Sequence, residues 1–338
     1  DPYGTEGTSL NAKSGFQLST PYLDDNGTPN DASDDTLYVG TISQYDDYEG
    51  GEWLTGTGSK VMALTGLDQN KPTVTNVLTG INGQINTPIT TDGTYLYFGT
   101  WPGGSRAGTY YQVKLSDYSV KTFTPDSYGF YWAGAVSDGT NVYFGSDNGL
   151  LYWRSIADFD TTGGVLDLTD VASDAGNVRS TVMLDDGYLY FTTQGGYLWC
   201  CSYDDGLTVE WHKKLGATST STPTKVGDRI YVGYYSGFNA GGVQCVSADG
   251  SSVKTVVEGD GFPVQSSIVV MGDGTGTDYL YFNTNAQKGV GYCYSYDGTT
   301  GSQVWGTTGD TYALGGMAID NGYAVFGNDY NHLYVVHD

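Results

Sequence analysis

Thr91-Asp-Gly-Thr-Tyr-Leu-Tyr-Phe-Gly99 is the stretch on which the fold turns. An Asp-Gly pair suited to a tight hairpin leads into four residues that are aromatic or apolar on both faces, the pattern of a strand sandwiched between neighbouring sheets. Working outward, the phrase returns as Ser137-Asp-Gly-Thr-Asn-Val-Tyr-Phe-Gly145, Leu184-Asp-Asp-Gly-Tyr-Leu-Tyr-Phe191 and Val226-Gly-Asp-Arg-Ile-Tyr-Val-Gly233. Thr36-Leu-Tyr-Val-Gly40, Asp278-Tyr-Leu-Tyr-Phe282 and Ile319-Asp-Asn-Gly-Tyr-Ala-Val-Phe-Gly327 bring the copies to seven. Aligning Tyr38, Tyr97, Tyr143, Tyr190, Tyr231, Tyr281 and Val325 gives intervals of 59, 46, 47, 41, 50 and 44 residues. Short strands repeating at such a period mark β-propeller blades. The chain is therefore predicted to be all-β, a seven-bladed propeller of four-stranded antiparallel blades.

Helix signals are nearly absent, because Gly or Thr interrupts every candidate 3.6-residue period. Composition agrees: among 338 residues there are 51 Gly and 30 Tyr but only 14 Lys plus Arg. The 38 acidic residues comprise 33 Asp and five Glu, a bias suited to turns, where Asp bonds its local backbone and Glu reaches less well. One continuous repeat array over residues 1–338 predicts a single domain.

A formal charge of −24 without a basic stripe disfavours nucleic acid and anionic membrane surfaces as partners. No apolar run approaches the length of a membrane span, so membrane insertion is not expected. The charge suits a secreted or cell-surface protein, read here as a monomer, and the start at Asp1-Pro-Tyr-Gly4 fits a processed or trimmed chain.

The blades are expected at about 15–80, 85–125, 130–170, 177–216, 218–258, 262–308 and 312–338, the last joined by residues 1–14. Ser19-Thr-Pro21, Asn86-Thr-Pro88 and Ser221-Thr-Pro223 mark the start of inner strands, where small and hydroxyl residues fit a crowded axis. Blade 7 ends after three strands at His332-Leu-Tyr-Val-Val-His337, and the segment Thr5 to Ala12 is expected to close the ring as its fourth. Cys200, Cys245 and Cys293 each precede an Asp by four residues, which places them at equivalent positions of three successive blades. That separation, about 10 Å, exceeds disulfide reach and predicts buried free thiols. A vicinal Cys200-Cys201 bridge fits poorly inside a strand, and zinc lacks a Cys-x-x-Cys pair or a His cluster.

Asp297-Gly-Thr-Thr-Gly-Ser-Gln-Val-Trp305 resembles the Asp-x-x-Thr-Gly-x-x-x-Trp signature of the quinoprotein-like (PQQ-like) repeat. Asp204-Asp-Gly-Leu-Thr-Val-Glu-Trp211 is a copy one residue shorter, while Asp249-Gly-Ser-Ser252 and Asp117-Tyr-Ser-Val120 lack the Trp. The resemblance implies a turn at the Asp, between the third and fourth strands of a blade, and a Trp that docks between blades. The calcium ligands of the family's quinone-dependent dehydrogenases find no match here. The chain is closer to non-catalytic members, such as outer-membrane assembly lipoproteins and surface-exposed repeat proteins, which bind partners.

Function is then sought on the loops joining second to third strands. Four are predicted to be long: Gln44 to Trp53, Trp101 to Arg106, Tyr234 to Phe238 and Thr284 to Lys288. Their aromatics and fixed polar groups suit protein or carbohydrate recognition, with Tyr45, Tyr48, Trp53, Trp101, Arg106, Tyr234, Tyr235 and Phe238 as candidate contacts. The competing reading is that these aromatics pack their own loops. Asp46, Asp47, Glu49 and Glu52 are dense enough for a general acid and base on polysaccharide, or for calcium, but a solvated acidic loop is the plainer reading. No metal ligand, catalytic residue or cofactor is assigned. His212, His332 and His337 lie in strand-like segments without a nucleophile elbow, and Asn26-Gly-Thr28 is the one N-glycosylation sequon.

Overall fold

The computed structural model describes residues 14–15, 19–29, 31–43, 45–49, 52–55, 58–204, 206–288, 291–307, 312–328 and 332–337, with backbone alone for 14–15, 42–43, 45–49 and 52–55. Among them the chain is built from seven successive antiparallel sheets, and the one helical element is a 3-10 turn at Leu168–Asp170 capped by the Asp167 side chain. The expected closing segment, Thr5 to Ala12, lies outside the described residues.

The chain divides into two compact units, Asp1–Val165 and Leu166–Asp338. In the first, sheet 1 runs Tyr22–Asp24, Thr36–Gly40, Ser59–Thr65 and Thr73–Ile81. Sheet 2 runs Thr90–Thr91, Tyr95–Trp101, Tyr110–Lys114 and Val120–Phe123, with Gln84–Ile85 paired to the far end of its second strand. Sheet 3 runs Val136–Ser137, Asn141–Gly145, Leu150–Ser155 and Gly163–Asp167. The long first interval is explained by an added hairpin, Tyr45–Glu49 with Glu52–Thr55, inserted before the third strand of sheet 1.

In the second unit, sheet 4 is Met183–Asp185, Tyr188–Thr193, Tyr197–Ser202 and Thr208–Lys214. Sheet 5 is Thr224–Val226, Arg229–Ser236, Ala240–Ser247 and Val253–Asp260; sheet 6 is Val269–Met271, Asp278–Asn283, Gly291–Tyr296 and Gly301–Gly306. Sheet 7 has three described strands, Ala318–Asp320, Tyr323–Gly327 and Leu333–His337.

The two-faced strands explain the packing within each unit. Leu96 and Phe98 enter a core shared with sheet 1, while Tyr97 between them enters the core shared with sheet 3. In the second unit Ile230 and Val232 face the core with sheet 4 and Tyr231 the core with sheet 6. Period-2 alternation thus feeds two cores from one strand, each buried apolar side chain contributing about 1.5–3 kcal/mol. The turns are fixed by Asp, as its abundance predicts: Asp92 Oδ1 accepts from Thr94 N and Tyr95 N at 2.8 Å, and Oδ2 from the Tyr97 hydroxyl at 2.7 Å. Asp138 repeats the arrangement with Thr140, Asn141 and Tyr143.

The Ser/Thr-Pro stretches sit just before the first strands, and hydrogen bonding as well as size explains the hydroxyl residues of these entry segments. Thr87 Oγ1 accepts from Gly99 N at 2.7 Å, and Ser180 Oγ from Thr192 N at 2.8 Å. Ser219 Oγ donates to Gly233 O at 2.7 Å. Each hydroxyl pins the chain entering a sheet to that sheet's second strand.

Candidate functional site

Long connections place a half-buried aromatic cluster of the first unit at one end of sheets 2 and 3. Trp101 ends the second strand of sheet 2, and its ring meets Tyr131 edge-on at 5.1 Å. Tyr131 in turn contacts Trp132 at 4.7 Å, and all three rings are half-buried. The loop and the following connection are laced together by backbone: Tyr128 N donates to Ser105 O, Gly108 N to Tyr128 O, and Phe130 N to Thr100 O. Gly129 leaves no room for a side chain there, since a Cβ would stand 2.8 Å from Thr100 O.

Two large residues in this connection hold left-handed backbone, Tyr128 at φ 62° and Trp132 at φ 61°. Such conformations cost about 1–3 kcal/mol for a bulky side chain and persist only where surroundings impose them. Beneath the cluster, Gln84 and Asn86 are buried and joined by an Asn86 Nδ2 to Gln84 Oε1 bond of 3.2 Å. Gln84 Nε2, Asn86 Oδ1 and Trp101 Nε1 are all shielded with no protein partner, and Gln84 is the cross-strand partner of Trp101. Arg106 is exposed and folds back on its own loop, donating from Nη1 to Pro102 O at 3.0 Å.

In the second unit the predicted loop Tyr234 to Phe238 is mostly strand, a correction to the sequence reading: Arg229–Ser236 carries both tyrosines. Tyr234 is buried, its ring seated where Gly216 leaves space and its hydroxyl 3.2 Å from Glu258 Oε2. It packs the core because Gly216 and Gly242, both lacking a side chain, open a slot that local sequence does not announce. Tyr235 is half-buried at the strand end, and Phe238 is 56% exposed with Tyr312 beside it at 5.4 Å. Tyr45 and Tyr48 stand on one strand of the inserted hairpin and Trp53 on the other, paired Tyr45↔Thr55 and Tyr48↔Trp53; their side chains are outside the description.

Of the candidates, the structure thus joins Trp101 to Tyr131 and Trp132 in one cluster, with Arg106 on the same loop. Tyr131 and Trp132 fall at the start of the third predicted blade, and neither they nor Tyr128 are among the candidates expected from sequence. The signal available was the density of aromatics in Tyr128-Gly-Phe-Tyr-Trp132.

The thiols offer no chemistry. Cys200, Cys201, Cys245 and Cys293 are free and buried on the third strands of sheets 4, 5 and 6. Burial pushes Cys200 and Cys245 up to about 11 and raises Cys201 and Cys293 as well, keeping them protonated and poorly nucleophilic. His212 stacks on Trp199 at 4.8 Å. Among the described residues no group of three or more His, Cys, Asp or Glu is arranged to hold a metal, and no helix is long and apolar enough to cross a membrane.

No protein-family model matches the chain, and no curated protein does. Solved structures do. BamB from Moraxella catarrhalis superposes with a TM-score of 0.59 at 14% identity, covering 94% of this chain and 82% of that one. A chain from the crystal structure of a mitotic checkpoint complex gives 0.62 at 11% identity, with 94% of each chain covered. With seven successive antiparallel sheets, this likeness establishes the fold as a seven-bladed β-propeller.

Proposed function

We propose that this β-propeller is a non-catalytic recognition protein of the quinoprotein-like repeat class, monomeric and secreted or displayed at a cell surface, that binds a protein partner through its long-loop ends. The observation that carries the reading is the Trp101–Tyr131–Trp132 cluster, three touching half-exposed rings on a connection whose backbone is held in a costly conformation. Rigid aromatic anchors over fixed polar groups are what a binding hot spot requires. Kinship with the repeat is supported by its turn: Asp297 Oδ1 accepts from Thr299 N at 2.8 Å and Thr300 N at 2.7 Å, and Trp305 packs against the core of sheet 7. One structural neighbour bears the name BamB and the other belongs to a protein complex, in line with propellers that work by assembly.

A photo-crosslinking side chain at exposed Ser105, beside the cluster, tests the reading in the protein's native setting, with Thr140 on the opposite strand ends as the control position. A partner captured at Ser105 and not Thr140, whose affinity falls tenfold or more in Trp132→Ala, supports it. Equal capture at both positions, or a partner indifferent to Trp132→Ala and Trp101→Ala, overturns it. Glycan-array binding lost in the same variants would replace the protein partner with carbohydrate.

A further inference from the structure

At the other end of the strands, a cleft of about 410 Å³ opens in the second unit between sheets 4 and 5. One wall is aromatic. Tyr188 and Tyr190 lie 6.4 Å apart and Tyr190 and Trp211 6.1 Å apart. The register builds this wall, since Tyr190, Cys200 and Trp211 are direct partners across three adjoining strands, and Cys200 forms part of the lining. Trp211 is held from behind by Gly250, where a Cβ would come within 2.6 Å of the indole.

The rest of the lining is acidic. Cys200 pairs with Trp211 but Cys201 with Val209, so Glu210 is the extra residue of a β-bulge, a device that re-aims a side chain away from the ladder. Glu210 Oε1 accepts from Ser202 Oγ at 2.6 Å. Asp186 and Asp228 come from the turns between first and second strands, and Asp249 from the turn between third and fourth. Hydrogen bonds from Ser251 N at 2.9 Å and Ser247 Oγ at 2.7 Å hold the Asp249 carboxyl down to about 2, so it is ionised at any ordinary pH. Lys225 is the one cation of the lining, and its ammonium is already bound to Asp185. Four acidic residues therefore line the cleft, and their carboxylates have no described cationic partner.

We propose that this cleft binds an alkylammonium ion, the chemistry of a lysine side chain or of a free amine, with the apolar stem against Tyr188 and Trp211, the latter backed by buried Tyr190, and the charge beside Glu210, Asp228 and Asp249. A hard metal ion would need a converging oxygen cage, and no metal-holding group occurs among the described residues. An anion would meet four like charges, and a neutral ligand would leave them unanswered. An ammonium with an aliphatic stem answers both halves of the lining, since the stem covers the aromatic wall and the carboxylates neutralise the charge.

Calorimetric titration of the full chain with Nα-acetyl-lysine amide, choline and the uncharged Nα-acetyl-norleucine amide, at constant ionic strength, tests it. Saturable binding is expected for at least one ammonium probe and none for the acetylated norleucine amide. Preference for acetyl-lysine amide points to a polypeptide source, and preference for choline to a free small amine. Glu210→Gln with Asp228→Asn, both at exposed positions, should weaken binding about tenfold without lowering the melting temperature, and Trp211→Leu should abolish it. Absence of saturable binding by either ammonium probe, equal binding of Nα-acetyl-norleucine amide, or full affinity in the double variant would overturn the proposal.

Discussion

Asp278 has no solvent exposure, and the donors around it explain how a carboxylate survives there. Its Oδ2 accepts from Arg229 Nη1 at 2.8 Å and from the Tyr231 hydroxyl at 2.6 Å, and its Oδ1 from Gly274 N at 3.0 Å. The pair ties sheet 5 to sheet 6, so removing one partner strands the other in a dry interior. Asp278→Ala is expected to lose about 3–5 kcal/mol in urea denaturation, and Asp278→Asn, which keeps an acceptor, clearly less. The thiols make a second residue-scale prediction. Burial raises Cys200 and Cys245 from 9 to about 11, so the folded state favours the protonated thiol. A raised folded pKa contributes stability that is fully present below pH 9 and is lost as pH climbs towards 11. The melting temperature should fall across that window and fall less in Cys200→Ala with Cys245→Ala. At pH 8 a thiol reagent should label none of the four cysteines in the native protein and all four in denaturant.

At the scale of strands and turns, Gly250 joins two demands that no other residue meets. Its φ is +68°, and a Cβ would press on the Trp211 ring at 2.6 Å. Gly250→Ala is therefore expected to cost about 1 kcal/mol from the backbone and more from the displaced indole, measured as a drop in urea midpoint at constant m. Much of this level was legible in sequence. The Asp-Gly pairs gave turns, the aromatic runs gave second strands, and the spacing of Cys200, Cys245 and Cys293 from an Asp gave the third strands. Each of those signals is local, set by a turn angle or by two-residue alternation. The sites were less legible because they depend on slots and bulges. Tyr234 reads as a loop aromatic until Gly216 and Gly242 make room for it, and Glu210 reads as a ladder residue until the register slips beside Cys201. The three-ring cluster needed the return of Tyr131 and Trp132 beside Trp101, thirty residues earlier in the chain.

Over the whole molecule the dominant quantity is charge, −24 with 38 acidic residues against 14 basic. Self-repulsion of this size destabilises a compact state, and any salt relieves it. A defined calcium site would add a further term, because a ligand that prefers the native state raises stability by mass action. The segment Asp24 to Asp35 shows how its carboxylates are used. Asp25 accepts from Gly27 N, Asp31 from Ser33, and Asp34 from Asn26 and Thr28, so these oxygens already hold the loop's own donors. Asp35 is pushed up by burial first and then by Asp34, Asp25, Asp31 and Asp24, a local sign of crowded negative charge. The acidic residues Asp46, Asp47, Glu49 and Glu52 fall on the inserted hairpin, whose strands are too short to separate them widely. Screening acts on all such charges without a cage, over a Debye length of about 10 Å at 0.1 M salt. Melting curves in calcium chloride and in sodium chloride of equal ionic strength are accordingly expected to shift upward by the same amount. A calcium shift that exceeds the sodium shift, saturates, and disappears in Asp46→Asn with Glu49→Gln would instead assign a specific cation site to that hairpin.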